Sequence, residues 1–279
     1  MQTGIASETA LRVAHRRAVH QLLDQPCILN DPIAVPLLGD EFALDHERES
    51  HPLVRAFRAF MAARSRFAED EFAASVEAGV GQYVMLGAGL DTFAYRNTNR
   101  NLRLFEVDFP ATQEWKRTLL ERAGIELPPN LTFVPIDFEQ ETLGDGLAEA
   151  GMDMGAPAFF VALGVVPYLS MAAFRSAIEA IGRFPRPTAV VFNFGISPEL
   201  LGPLARAALD MLSARVAAVG EPFRLFCSPG ELEAELKRSG FSQIELISPD
   251  DLNARYFANR TDGLALPSSG LEGLATARV

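Results

Sequence analysis

Five apolar runs, QYVMLG, LRLFEVD, LTFVPID, PAFFVALG and TAVVFNFG, recur through the middle of the chain with helical or loop segments between them. No other feature constrains the fold as strongly. Strands separated by helix-length connections return to the same end of a sheet, so they pair in parallel and their helices cover its faces. The expectation is an α/β fold with a mostly parallel, Rossmann-like sheet. The crossover after the second run carries its own boundaries: in PATQEWKRTLLERAG, Pro110 can open a helix, where its missing N–H costs nothing, and Gly124 can end it. SPGELEAELKRSG follows the same rules, with Ser228 as cap, Pro229 as first helical residue and Gly240 as stop.

Around this core the pattern differs. From Thr9 to Ala78 it is helical, interrupted at QPCILNDPIAVP and before HPLVRAF, which predicts a helical amino-terminal layer. PELLGPLARAALDMLSARVAAVG predicts a helical insertion over the carboxyl edge of the sheet. FSQIELIS and NARYFAN are expected to supply closing strands, and the tail ALPSSGLEGLATARV is expected to be loose. With no repeats and no long linker, residues 1–279 are expected to form one domain: a helical layer over 1–80, a core over 81–195, a lid insertion over 196–220, and a carboxyl-terminal helix with closing strands over 221–279.

The charge balance removes some functions. A formal charge of −11 opposes the positive surface that nucleic acid requires. The amino terminus has no signal-peptide core and no apolar stretch is long enough to span a bilayer, so a cytoplasmic protein without membrane contact is expected. Cys27 and Cys227 read as free thiols, and no metal site is expected.

The first run ends in Gly87-Ala88-Gly89, a turn that lets a ligand approach the backbone beyond the strand end. A dinucleotide fingerprint needs a third glycine at position 92, which is Thr92. The next strand ends on Glu106 and Asp108, and a carboxylate there can accept from both hydroxyls of a ribose. Together these features favour a nucleoside site without a pyrophosphate cradle. A tight strand-to-helix turn can also require glycine for steric reasons alone.

Arg64 stands out for its position. Phe57, Met61, Arg64 and Ala68 share one helix face, which places a guanidinium on an apolar stripe. A buried arginine needs an anion, either a ligand or an internal acid such as Glu8 or Asp91. Leu11, His15, Ala18 and Leu22 make a second such stripe, on which His15 is a core residue or at most a reserve base.

QYVMLGAGLDTFAYR followed by LFEVDFPATQEWK resembles the leucine carboxyl methyltransferase family, class I enzymes that use S-adenosylmethionine (SAM). ASETALRVAHRRA with NDPIA, AARSRFAEDEF, FVPIDFEQETL and VALGVVPYL resemble further family motifs in the same order. The resemblance implies the class I sheet with SAM as cofactor. Gly87, Ala88 and Gly89 would wrap the methionine part, Asp108 would hold the ribose, and Asp137 with Phe138 would flank the adenine. Arg64 would bind the carboxylate of SAM or of the substrate, and Tyr168 would reach the substrate. Where much of the family has glutamate before Gly164, this chain has Leu163, which leaves the SAM amine to the Gly87 carbonyl or the Leu163 backbone. The family's amino-terminal lysine also has no counterpart near Ala10, for which Arg17 is a candidate substitute.

The expected activity is O-methylation, of a carboxylate rather than a hydroxyl, on a small molecule or peptide. A carboxylate is ionised at neutral pH and needs no general base, and no persuasive base is evident; a hydroxyl acceptor would depend on the lid helices bringing His15, His20 or Tyr168 near it. The rival readings are a nicotinamide-dependent oxidoreductase and a non-catalytic SAM-binding protein.

Overall fold

The computed structural model describes residues 7–279. An amino-terminal layer is built from α1 (Glu8–Leu23), α2 (Ala34–Leu38), α3 (His46–Ser50) and α4 (Pro52–Glu77). There follow β1 (Gln82–Leu86), α5 (Phe93–Arg96), β2 (Arg103–Asp108), α6 (Pro110–Arg122), β3 (Leu131–Pro135), α7 (Leu143–Glu149), β4 (Ala158–Ala162), α8 (Met171–Gly182) and β5 (Ala189–Ile196). The chain continues through α9 (Pro203–Ala218), β6 (Phe226–Cys227), α10 (Pro229–Arg238), β7 (Gln243–Ile247), α11 (Pro249–Leu252) and β8 (Glu272–Arg278).

The sheet order is β3-β2-β1-β4-β5-β8-β7, with the short β6 beside the end of β5. The first five strands pair in parallel, and β8 runs antiparallel to both β5 and β7. After β3 the order reverses and β4 pairs on the other side of β1, which opens a crevice at the carboxyl ends of β1 and β4. Alternate residues of a strand face opposite sides of the sheet. Accordingly Val84 and Leu86 pack with Phe160, Phe192 and the α8 residues Phe174 and Ile178. Tyr83 and Met85 face the other way, against Phe67 and Phe72 of α4.

Local signals in the sequence match the structure where they are strongest. α6 starts at Pro110 and stops before Gly124 (φ +66°). α10 has a complete capping box between Ser228 and Glu231 and stops before Gly240 (φ +101°). Among the described residues no helix is long and apolar enough to cross a membrane. Cys27 and Cys227 are free thiols.

Two expectations at the carboxyl end need correction. NARYFAN contains a π-helical turn, Asn253–Phe257, where a strand was expected. The turn directs Tyr256 to Asp70 at 2.8 Å and lays Arg255 over the Phe67 ring at 5.1 Å, both on α4. The tail is ordered as well: its last residues form β8 between β5 and β7, with Leu274, Ala275, Thr276 and Ala277 all buried. A strand covered on both faces shows no alternation, and small residues suit its crowded slot. Gly273 is required there, because a Cβ on it would come within 2.5 Å of the Phe194 ring.

Candidate functional site

β1 ends at Leu86 and the chain turns through Gly87 (φ +60°) and Gly89 (φ +46°), conformations that disfavour any side chain. A Cβ on Gly87 would also lie 2.3 Å from Val165 Cγ2. The Gly89 amide donates to Asp108 Oδ2 at 2.5 Å, and the Phe109 amide donates to Oδ1 at 2.6 Å. The glycine turn is therefore latched to the end of β2. Asp108 is 5% exposed, and burial pushes its carboxyl above the usual value although the two amides oppose this. Each oxygen accepts one backbone bond and keeps capacity for another.

This turn borders a cavity of about 840 Å³ beyond the strand ends. Gly87, Ala88, Gly89, Asp108, Asp137, Phe138, Leu163 and Tyr168 all line it. The whole α4 stripe of Phe57, Met61, Arg64 and Ala68 faces the same space. From the other side, α9 contributes Ala208, Met211, Leu212, Arg215 and Val216. Asp137 is half-buried, and its carboxylate accepts from the Glu139 amide at 3.0 Å and from Gln140 at 2.7 Å, which braces the turn after β3.

Arg64 is 3% exposed, and burial pulls its guanidinium below the usual value. The guanidinium packs against Gly164 (φ +78°), where a Cβ would come 3.2 Å from Nη2. Glu272 Oε2 lies 3.7 Å from Nη1, beyond hydrogen-bond reach, and Nε is buried without a partner. Neither internal acid considered from sequence pairs with it: Asp91 is engaged by Arg17, and Glu8 pairs with Arg12.

Several residues raised by the sequence lie elsewhere or do structural work. Arg17 is not a free cation for a ligand: it binds Asp91, Asp31 at 2.7 Å and Thr92 at 2.9 Å, and so ties α1 to the loop after β1. The stripe of Leu11, His15, Ala18 and Leu22 is not a uniformly buried face of α1: Ala18 is buried, Leu11 and His15 are half-buried, and Leu22 is 48% exposed. His15 Nε2 meets the Ala43 carbonyl at 2.7 Å and its ring packs on Phe42, away from the cavity lining. His20 is fully buried, bonded to Asp24 and the amides of Ile28 and Leu29. Glu106 is locked to Lys116 Nζ at 2.7 Å, which leaves Asp108 as the acid of β2 that reaches the cavity.

Tyr168 packs on Phe223, and burial, with Glu272 adding to it, pushes its phenol well above the usual value. It is a proton donor at neutral pH and unsuited to act as a base. Glu272, the first residue of β8, is a cavity residue that sequence reasoning missed. Its only signal was a lone acid in a segment rich in serine and glycine.

A model of the leucine carboxyl methyltransferase family matches residues 10–182. A Bacillus subtilis protein named "putative S-adenosyl-L-methionine-dependent methyltransferase YktD" is 30% identical, with 95% of this chain and 96% of that protein covered. A Mycobacterium tuberculosis protein with the same description is 32% identical, with 75% of this chain and 72% of its own covered. A solved structure of a "putative methyltransferase" from Thermobifida fusca superposes with a TM-score of 0.59 at 16% identity, over 99% of this chain and 96% of that one. A DUF574 family protein from Streptomyces avermitilis superposes at 0.53 and 16% identity, over 87% of this chain and 94% of that one. At such identities the structural likeness is one of fold, here the mixed α/β sheet of class I methyltransferases.

Proposed function

Because the chain belongs to the leucine carboxyl methyltransferase family and is a SAM-dependent methyltransferase, we propose that it methylates a carboxylate oxygen on an acceptor with an apolar body. The observation that supports the choice of a carboxylate is that no histidine lines the cavity among the described residues. Its histidine candidates, His15 and His20, are held elsewhere, and the Tyr168 phenol stays protonated. An alcohol or phenol acceptor needs a base, whereas a carboxylate is ionised already.

The residues present fit the cofactor. A positive-φ glycine turn lets a ligand lie against the backbone, Asp108 keeps acceptor capacity for two hydroxyls, and the unpartnered Arg64 Nε lies buried at the cavity wall. Gly87, Ala88 and Gly89 would hold the methionine part, Asp108 the ribose, Asp137 and Phe138 the adenine, the Leu163 backbone the flank, and Arg64 a carboxylate. The cofactor supplies an electrophilic methyl group on a sulfonium. The protein's task is to hold the acceptor oxygen in line with that methyl, since positioning is the largest contribution available to such a displacement. The acceptor end is apolar, lined by Leu53, Phe57, Met61, Met211 and Phe223, with Arg48 and Arg215 on the same cavity to attract an anion. We assign α9 the role of lid: it buries only Leu209 and Val216, while Met211 is 66% exposed. Tyr168 donates a hydrogen bond to the acceptor. The nicotinamide reading is not favoured, because Thr92 replaces the third glycine and the family is one of methyltransferases.

Two measurements test this reading. Calorimetry should show S-adenosylhomocysteine binding and no heat with NADH; the reverse pattern would remove the cofactor assignment. Affinity should also depend on pH. Burial holds Asp108 above the ordinary carboxylate value in the free protein, while hydroxyl donors favour its charged form. Binding therefore releases a proton only where the pH lies between the lowered value of the bound form and the raised value of the free form, and affinity falls as pH falls through that window. Above it, affinity is flat with respect to this group. Titration in buffers of different ionisation enthalpy reads the released proton directly, and uptake of a proton on binding would contradict the ribose role.

A further inference from the structure

We infer that Glu272 and Arg64 form the two poles of a zwitterion site, Glu272 taking the α-ammonium and Arg64 the α-carboxylate of the cofactor's amino-acid end. The inference rests on the cofactor reading above and adds a residue to it.

The two side chains lie side by side at the cavity wall with no hydrogen bond between them. Their nearest charged atoms are 3.7 Å apart, close enough for strong attraction at a buried site but too far for a hydrogen bond. Arg64 Nε has no partner, and Glu272 Oε1 is engaged by no hydrogen bond among the described residues. Burial pulls the arginine down and pushes the glutamate up, and their mutual attraction only partly opposes these shifts. An α-amino acid presents the complementary pattern, an anion and a cation separated by one carbon. Lying in the cavity against both, it offers each residue the opposite charge at hydrogen-bond distance.

The fold holds this geometry in place. Glu272 opens β8 opposite Gly195 of β5, and Asn193, two residues earlier on β5, donates from Nδ2 to Glu272 Oε2. The Asn193 Oδ1 accepts from the Gly164 amide at 2.5 Å, and Gly164 carries the Arg64 guanidinium. One asparagine thus fixes the acid relative to the turn that supports the base.

Of the acids on the cavity, Glu272 is the one that lies within 4 Å of the Arg64 guanidinium among the described residues. Asp91 is held by Arg17 and Glu69 by Arg96, while Asp108 and Asp137 are assigned above to the ribose and the adenine. Leu163, where an acid would lie beside Gly164, offers no side-chain acceptor.

The test compares two probes on wild type and Glu272→Gln by calorimetry. S-adenosylhomocysteine carries the zwitterion, while 5′-methylthioadenosine shares the nucleoside and thioether and lacks it. Glutamine keeps the size and the bond to Asn193 and removes the charge. The expected result is that Glu272→Gln weakens S-adenosylhomocysteine by about tenfold or more, the scale for a hydrogen bond to a charged group, and leaves methylthioadenosine within about threefold.

A glutamate that serves only as counter-ion to Arg64 predicts the opposite sign. Its removal would free the guanidinium and leave S-adenosylhomocysteine as tight as before or tighter, which overturns the inference. An equal loss for both probes also overturns it. If wild type binds neither probe, the cofactor reading itself fails, an outcome distinct from these. Should Glu272→Gln prove unfolded by thermal melt, Glu272→Asp withdraws the carboxylate by one methylene and is expected to show a several-fold loss confined to S-adenosylhomocysteine. An unchanged ratio of the two affinities in that variant is equally decisive against the inference.

Discussion

Replacing Arg64 with methionine should abolish measurable methyl transfer and weaken S-adenosylhomocysteine binding by about 2–5 kcal/mol, the usual cost of deleting one partner of a buried charge pair at a binding site. The same change should leave the ligand-free protein as stable as wild type or slightly more so. A ligand role and a structural role differ on this second point. Arg64 makes no hydrogen-bonded ion pair, its nearest carboxylate oxygen being 3.7 Å away, its Nε is an orphan, and its neighbours along the α4 stripe are apolar, so methionine completes the stripe and removes an expensive buried charge. Glu272 keeps its bond to Asn193 and, with burial already raising its carboxyl, can carry a proton more readily than an exposed acid. Arg64→Lys should also fail to restore affinity, because a point charge lacks the planar fork that grips a carboxylate. Melting both variants with and without S-adenosylhomocysteine decides the matter. A large loss of stability in the ligand-free Arg64→Met protein, together with normal stabilisation by ligand, would end the ligand role.

The second large effect is expected at Asp108. Asp108→Ala should cost roughly 1–3 kcal/mol of cofactor affinity, as hydrogen bonds to a charged acceptor are lost. It should cost a comparable amount of stability, because the same carboxylate accepts the Gly89 and Phe109 amides and both are left without it. The two losses have separate readouts, calorimetry for affinity and denaturant unfolding for stability. A folded variant with unchanged affinity would remove Asp108 from the site. An unchanged unfolding midpoint would show that the latch between the glycine turn and β2 contributes nothing.

The sequence by itself determined the features that are settled within a few residues. Pro110 and Gly124 bound α6, and the Ser228 capping box with Gly240 bounds α10, because helix ends are decided by local hydrogen bonding and backbone angles. Five apolar runs with helical spacers determined the parallel core, since helix-length connections return each strand to the same end of the sheet and cover its faces. Within that frame Gly87, Gly89 and Asp108 had to meet, because consecutive parallel strands bring their carboxyl ends together. The motif resemblance added Asp137, Phe138, Leu163 and Tyr168, and all of them line one cavity.

Only the tertiary structure decided the rest, because the deciding contacts join residues far apart in the chain. Arg17 and Arg64 are both buried arginines on helices, and no local pattern separates them; Asp31 and Asp91 engage the first, while the second is left unpaired in a hydrogen-bonding sense. EGLATAR has the composition of a loop and becomes a central strand because the slot between β5 and β7 supplies all its backbone partners. Sheet pairing of that kind outweighs the weak strand preference of glycine and alanine. The same slot carries Glu272 to Arg64, so the carboxylate that completes the site could be found only after β8 had been placed.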